Sequence, residues 1–138
     1  MIPADDGLRR ILREARTIAV VGLSGDSAKP SHEVAAYLQA QGYRIIPVNP
    51  RGGVILGETV YADLRAVPEP VDLVDVFRPA AACLEVARAA VAVGAKTLWL
   101  QLGIVNDEAA ALAHAAGLAV VMDRCTLREH RRLLSRQT

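Results

Sequence analysis

Cysteine is scarce. Cys83 and Cys125 are the only two, too few for a disulfide framework or a thiolate zinc site. Net charge is scarce as well: 16 Lys and Arg stand against 15 Asp and Glu, for a formal +1. So small a value gives no molecular field to draw in nucleic acid or an anionic membrane, so any anion site must be local and the expected partner is a small molecule. No apolar run approaches the ~20 residues that span a bilayer, and the first residues lack the core of a signal peptide. A cytoplasmic protein is the expectation. No repeat, linker or low-complexity stretch divides the chain, which is 52% hydrophobic and 22% charged. Its 138 residues suffice for one domain with a core of its own, expected to span residues 1–138.

What is present is arranged around residues 17–37, TIAVVGLSGDSAKPSHEVAAY. Ile18, Ala19, Val20 and Val21 form an uninterrupted apolar run, the pattern of a strand covered on both faces. Gly22 ends it. A small-residue loop follows, and Val34, Ala35, Tyr37 and Leu38 recur at helical spacing behind Lys29-Pro30-Ser31. Pro30 suits a first helical turn, where its missing N–H breaks no bond. A buried strand, a tight loop and a helix N-terminus together aim backbone N–H groups and a helix dipole at one spot, which is how proteins hold phosphate. The candidate pyrophosphate loop is therefore Gly22, Leu23, Ser24, Gly25 and Ser27, with Lys29 and Pro30 at its helical end. The match to the dinucleotide fingerprint G-x-G-x-x-G is partial, with Ala28 where a third glycine is sought. An ordinary strand-to-helix turn is the competing reading.

Around this stretch helices and strands alternate. Asp5 or Asp6 is placed to cap a first helix whose inner face is Leu8, Ile11, Leu12 and Ala15. Residues 43–48, 71–77, 96–100 and 118–122 read as further strands, 62–67 as a short helical turn, and 79–93, 106–117 and 126–134 as helices. Such alternation predicts an α/β fold: a Rossmann-like, doubly wound, parallel five-stranded sheet with helices on both faces, in three layers α/β/α. Ligands of such sheets lie at the carboxyl ends of the strands, beside the topological switch point. Those ends are residues 22–27, 49–53, 77–79, 101–103 and 123–125.

An NAD-binding fold would end its second strand in an acid that holds the ribose 2′-hydroxyl, yet the chain reads Val48-Asn49-Pro50-Arg51-Gly52-Gly53. Arg51 suits an additional phosphate, that of NADP or the 3′-phosphate of coenzyme A, or else it is a solvated loop residue. Asp72 and Asp75 share a strand, but no His, Ser or second acid is spaced to build a reaction centre with them. Asp72 is expected at the start of the strand and Asp75 as a local hydrogen-bond acceptor. Cys83 and Trp99 read as core residues, and Arg128, Arg131, Arg132 and Arg136 as the solvated face of the last helix. His32 and His114 read as ordinary helix residues, whereas His130 lies a turn and a half of helix from Cys125, the one candidate Cys–His pair.

The stretches AVVGLSGDSAKPSHEVAAYL, GYRIIPVNPR, VDLVDVFRP, GAKTLWLQLGI and GLAVVMDRC resemble the stand-alone CoA-binding domain family (YccU-like), related to the CoA-binding domain of the succinyl-CoA synthetase α-subunit. The likeness spans about residues 16–125. It implies coenzyme A or an acyl-CoA as ligand, with residues 22–25 on the pyrophosphate and Arg51, beside Asn49 and Pro50, on a CoA phosphate. Phe77, Arg78 and Pro79 would border the nucleotide, and Gln101, Leu102 and Gly103 would line the pantetheine path. Cys125 would face the thiol end, where Arg124 and the following helix N-terminus favour thiolate and a mixed disulfide with CoA, or else it is a half-buried structural cysteine. Thr126 stands where the family pattern leads one to expect proline. The synthetase's phosphorylated histidine and nucleotide-binding β-subunit have no counterpart in these residues, so the reading is a binding module with no assigned catalytic or metal residue. The alternatives are an NADP-binding oxidoreductase-like domain, for which no Tyr-x-x-x-Lys pair is present, and a regulatory or scaffold subunit that senses CoA. A protein partner or a homo-oligomer is left open.

Overall fold

The computed structural model describes residues 3–134. Helix α1 (Asp5–Glu14) leads into strand β1 (Thr17–Val21), then α2 (Pro30–Ala40), β2 (Arg44–Val48) and a small ribbon of β3 (Val54–Ile55) and β4 (Glu58–Thr59). There follow β5 (Leu73–Val76), α3 (Cys83–Ala92), β6 (Thr97–Leu100), α4 (Asp107–Ala115), β7 (Ala119–Val121) and α5 (Thr126–Leu133). The main sheet runs β2-β1-β5-β6-β7, with every neighbouring pair parallel. This is the Rossmann-like α/β sheet the alternation predicts. Its order reverses between β1 and β5, and that is the switch point.

Because successive side chains of a strand point to opposite faces, each apolar run supplies two cores. Val21, Val48, Val74, Val76, Leu98 and Leu100 pack under α3 and α4. Ile18, Val20, Ile45, Leu73, Trp99 and Val121 pack under α1, α2 and α5. On the first face α3 and α4 meet through Ala87, Ala90, Ala109 and Ala113, side chains small enough to let helix backbones approach. On the second, Trp99 is fully buried, and its indole N–H donates to the Arg124 carbonyl at 2.8 Å. A side chain of that size adds roughly 2–3 kcal/mol by leaving water, and its one polar atom is satisfied.

Three features depart from the sequence reading. Neither Asp5 nor Asp6 caps α1, because Ala4 occupies the cap position without a side-chain bond. Asp5 instead pairs with Arg132 at 2.8 Å, and Arg132 also holds Glu129 at 2.7 Å, so α1 is clamped to α5. The Arg132 guanidinium hydrogen-bonded to Asp5 holds that carboxyl below its ordinary value. The arginines of α5 are therefore not a plain solvated face; Arg131 also lies over the Tyr37 ring at 5.2 Å, and Arg136 falls outside the described residues. The ribbon is the third departure. Its two-residue turn, Leu56-Gly57, has positive φ at both positions (54° and 77°), a type I′ geometry usually signalled by Asn-Gly or Asp-Gly. Leucine hides that signal, and its strain is offset by packing against the second core and by a bond from Gln39 Nε2 to its carbonyl at 3.0 Å.

Candidate functional site

At the carboxyl edge β1 and β5 converge so closely that a Cβ on Gly22 would stand 2.5 Å from the Phe77 carbonyl oxygen, and Gly22 holds φ at +89°. Only glycine meets both conditions. Beyond it the loop is ordered by its own polar groups. Ser24 N–H donates to Ser31 Oγ at 3.0 Å, Asp26 N–H to Ser24 Oγ at 3.0 Å, and Ala28 N–H to Asp26 Oδ1 at 2.9 Å. The N–H groups of Gly25 and Ser27 have no protein acceptor among the described residues. Gly25 needs no glycine for space or backbone, since a Cβ there would meet nothing closer than Ile55 Cγ1, at an ordinary 3.8 Å; its bare backbone leaves room on the solvent side. Asn49, where a ribose-binding acid would stand, donates through Nδ2 to the Leu23 carbonyl at 2.8 Å and accepts the Arg51 N–H at 2.8 Å. One side chain thus joins the loops that follow β1 and β2.

These loops enclose an open cleft of about 540 Å³ lined by Gly22, Ser24, Gly25, Asp26, Lys29, Asn49, Pro50, Arg51, Phe77 and Arg78. Lys29, Arg51 and Arg78 face one acid there, Asp26, so the lining is locally positive although the whole chain is nearly neutral. Phe77 also borders a second groove, of about 610 Å³, between α2 and α5. Pro30, Glu33 and Val34 line it from α2, Gln101, Leu102 and Ile104 from the end of β6, and Cys125, Leu127, Arg128 and Arg131 from the α5 side. The remaining candidates lie elsewhere. Leu23 is fully buried and its carbonyl is taken by Asn49, Ser27 and Pro79 are exposed beside the first cleft, and Gly103 donates its N–H to Asp123 Oδ1 at 2.7 Å.

Beneath the second groove lies a cluster that spacing along the chain does not reveal. Asp75, fully buried, accepts from Gln101 Nε2 and from the Thr126 hydroxyl, so its partners come from β6 and α5. The only signal was a charged residue in a strand covered on both faces, which must be paired. Burial pushes this carboxyl up to about 7 against the pull of its two bonds. Asp72, by contrast, stands at the opposite edge, accepting the N–H groups of Arg16 and Thr17 at 2.9 Å. Burial alone would raise it, but those bonds and the Lys96 charge hold it below its ordinary value. Thr126 takes the first position of α5, a place that tolerates proline.

The proposed Cys–His pair does not form. His130 is buried with its Nδ1 on the Tyr37 hydroxyl at 2.8 Å and its ring edge-on to Tyr37 and Tyr43, and burial lowers its pKa. The Arg124 guanidinium turns to the Asp123 carbonyl at 2.9 Å. Cys83 is fully buried, which pushes its thiol up despite the nearby Arg78 charge. Among the described residues no group of three or more His, Cys, Asp or Glu side chains gathers to hold a metal, and no helix is long and apolar enough to cross a membrane.

This architecture recurs in known proteins. The chain is 37% identical over 123 residues to the uncharacterized protein YneT of Bacillus subtilis (strain 168), covering 89% of this chain and 91% of YneT. It superposes on the cell-free ID.343 protein of Thermus thermophilus with a TM-score of 0.91 at 43% identity, covering 96% of this chain and 100% of that one. A hypothetical protein from Pyrococcus horikoshii OT3 superposes with a TM-score of 0.94 at 36% identity, covering 96% of this chain and 94% of that one. The family described as "CoA binding domain" matches residues 16–131. That span takes in both clefts, from the start of β1 to the arginines of α5, and the chain belongs to the CoA binding domain family.

Proposed function

We propose that the protein binds coenzyme A or an acyl-CoA along the carboxyl edge of its sheet, using the two clefts as one site. The observation that carries this reading is Phe77, which lines both, so a cation-lined cleft adjoins a second, slightly larger groove between two helices. Coenzyme A has the matching asymmetry, phosphates at one end and an uncharged chain at the other. In this arrangement the N–H groups of Gly25 and Ser27 and the side chains of Lys29, Arg51 and Arg78 receive the phosphates. The pantetheine then passes Phe77 and runs beside Gln101 and Leu102 towards Cys125. NAD is disfavoured because the end of β2 carries Asn49, whose amide is engaged with Leu23 and Arg51, in place of a ribose-binding acid.

Calorimetric titration of the purified protein with CoA, acetyl-CoA, NAD and NADP tests this. CoA and acetyl-CoA are expected to bind, with NAD the weakest of the four. Tighter binding of NAD or NADP than of CoA would overturn the reading in favour of a dinucleotide-binding domain.

A further inference from the structure

Asp75, Gln101 and Thr126 close a ring of hydrogen bonds under the second groove. Gln101 donates through Nε2 to Asp75 Oδ1 at 2.5 Å and to Thr126 Oγ1 at 2.8 Å, and the Thr126 hydroxyl donates to Asp75 Oδ2 at 2.9 Å. An amide nitrogen carries two hydrogens and a hydroxyl one, so every proton in the ring is committed. Gln101 retains a single uncommitted polar atom, its carbonyl oxygen Oε1. Among the described residues no buried side-chain nitrogen or oxygen lacks a partner. Oε1, which has none, therefore reaches the surface, and the surface at Gln101 is the groove it shares with Phe77 and Cys125. Turning the amide over would set Oε1 against the Asp75 carboxylate and leave Thr126 without its donor, an arrangement that a buried polar cluster does not tolerate.

We infer that Gln101 is the acceptor for an amide N–H of the bound ligand, and that Asp75 and Thr126 are the positioning residues that hold its oxygen towards the groove. The inference rests on the CoA reading above, because pantetheine carries two secondary amides, each with one N–H to give. The ring also makes the acceptor depend on the charge of Asp75. Neighbouring strands face Asp75 with Val20 and Trp99, α5 faces it with Thr126, and no charged neighbour contributes to its raised pKa of about 7. Glu33, Arg128 and Arg131 are the charged groups of the groove, and Cys125 is its other titratable group. Once Asp75 takes a proton, its O–H needs an acceptor. Gln101 supplies one by turning over, which presents Nε2 to the ligand instead of Oε1.

The test compares CoA with adenosine 3′,5′-bisphosphate, which keeps the 3′-phosphate and the first of the two 5′-phosphates but has no amide, and with two CoA analogues in which one or the other amide N–H is replaced by an ester oxygen. Gln101→Met is expected to weaken CoA about 3- to 10-fold, the effect of one neutral hydrogen bond, and to leave the bisphosphate unchanged. One ester analogue should lose the same factor on the wild type and nothing further on Gln101→Met. CoA affinity of the wild type should fall as pH is lowered through about 7, and Asp75→Asn should abolish that step. Equal losses for CoA and the bisphosphate, or a flat wild-type pH profile, would overturn the assignment of Gln101 or of Asp75 respectively. If Gln101→Met does not fold, the ester analogues decide on the wild type alone: two esters that bind as CoA does remove the inference while the CoA site stands. A wild type that binds no CoA removes both.

Discussion

Arg51 stands at the rim of the first cleft with its backbone N–H bonded to Asn49 and its guanidinium exposed, without an acidic partner among the described residues. A guanidinium in that state keeps its fork of donors for phosphate. Arg51→Ala is therefore expected to weaken CoA by about 1.5–3 kcal/mol, the range for a hydrogen bond to a charged group. If the contact is to the 3′-phosphate, dephospho-CoA should bind the wild type less tightly than CoA. Equal affinity of variant and wild type for CoA would leave Arg51 without a role. Cys125, half-buried, is the other reactive group of the edge, lining the groove at the helix start. Its thiolate can attack one sulfur of CoA disulfide, forming a protein–CoA disulfide and releasing one CoA thiolate. Intact-mass spectrometry should find that adduct on the wild type and on Cys83→Ser but not on Cys125→Ser; an adduct on Cys83, or none, removes the assignment. The places of Arg51 and Cys125 at the carboxyl edge were legible in the sequence because both follow predicted strands. The partners of Asp75 were not, since Gln101 lies 26 and Thr126 51 residues away, and no local spacing connects them.

β5 buries an acid and α5 buries a histidine, and the two act on stability in opposite directions. The folded-state pKa of Asp75 is pushed up to about 7 from an ordinary 3.8, so in that window the folded chain holds a proton the unfolded chain has released. Stability from this group is complete at low pH and is lost as pH rises, by up to about 1.4 kcal/mol per pH unit. His130, whose pKa burial lowers from 6.5, and Asp72, held below 3.8, do the reverse, losing stability as pH falls. Denaturant unfolding of wild type and Asp75→Asn across pH 4 to 7 isolates the first effect. The difference between their stabilities should shift in favour of the variant as pH rises, whereas parallel curves would mean that Asp75 titrates as in the unfolded chain. At this scale the five sheet strands and the helices were readable from apolar periodicity and from Asn106, whose side chain does accept the Ala109 N–H at 2.9 Å. The β3–β4 ribbon was not, because Leu56 adopts a left-handed turn only where burial and Gln39 hold it.

Across the whole molecule, alternation of strands and helices was enough to imply a parallel sheet, and a parallel sheet covered on both faces brings its strand-end loops to one edge. The amino-acid sequence by itself therefore determined the fold class, the edge that carries the candidate site and the glycine at the switch point, all of which follow from periodicity and backbone chemistry that neighbouring residues decide. Only the tertiary structure decided which side chains meet there. It turned Asn49 into a brace between two loops, joined the two clefts at Phe77, sent His130 to Tyr37 rather than to Cys125, and closed Asp75, Gln101 and Thr126 into one ring. The physical reason is that a buried polar group must find its partner in space. The residues that satisfy it are chosen by strand order and helix placement, which no stretch of chain carries alone.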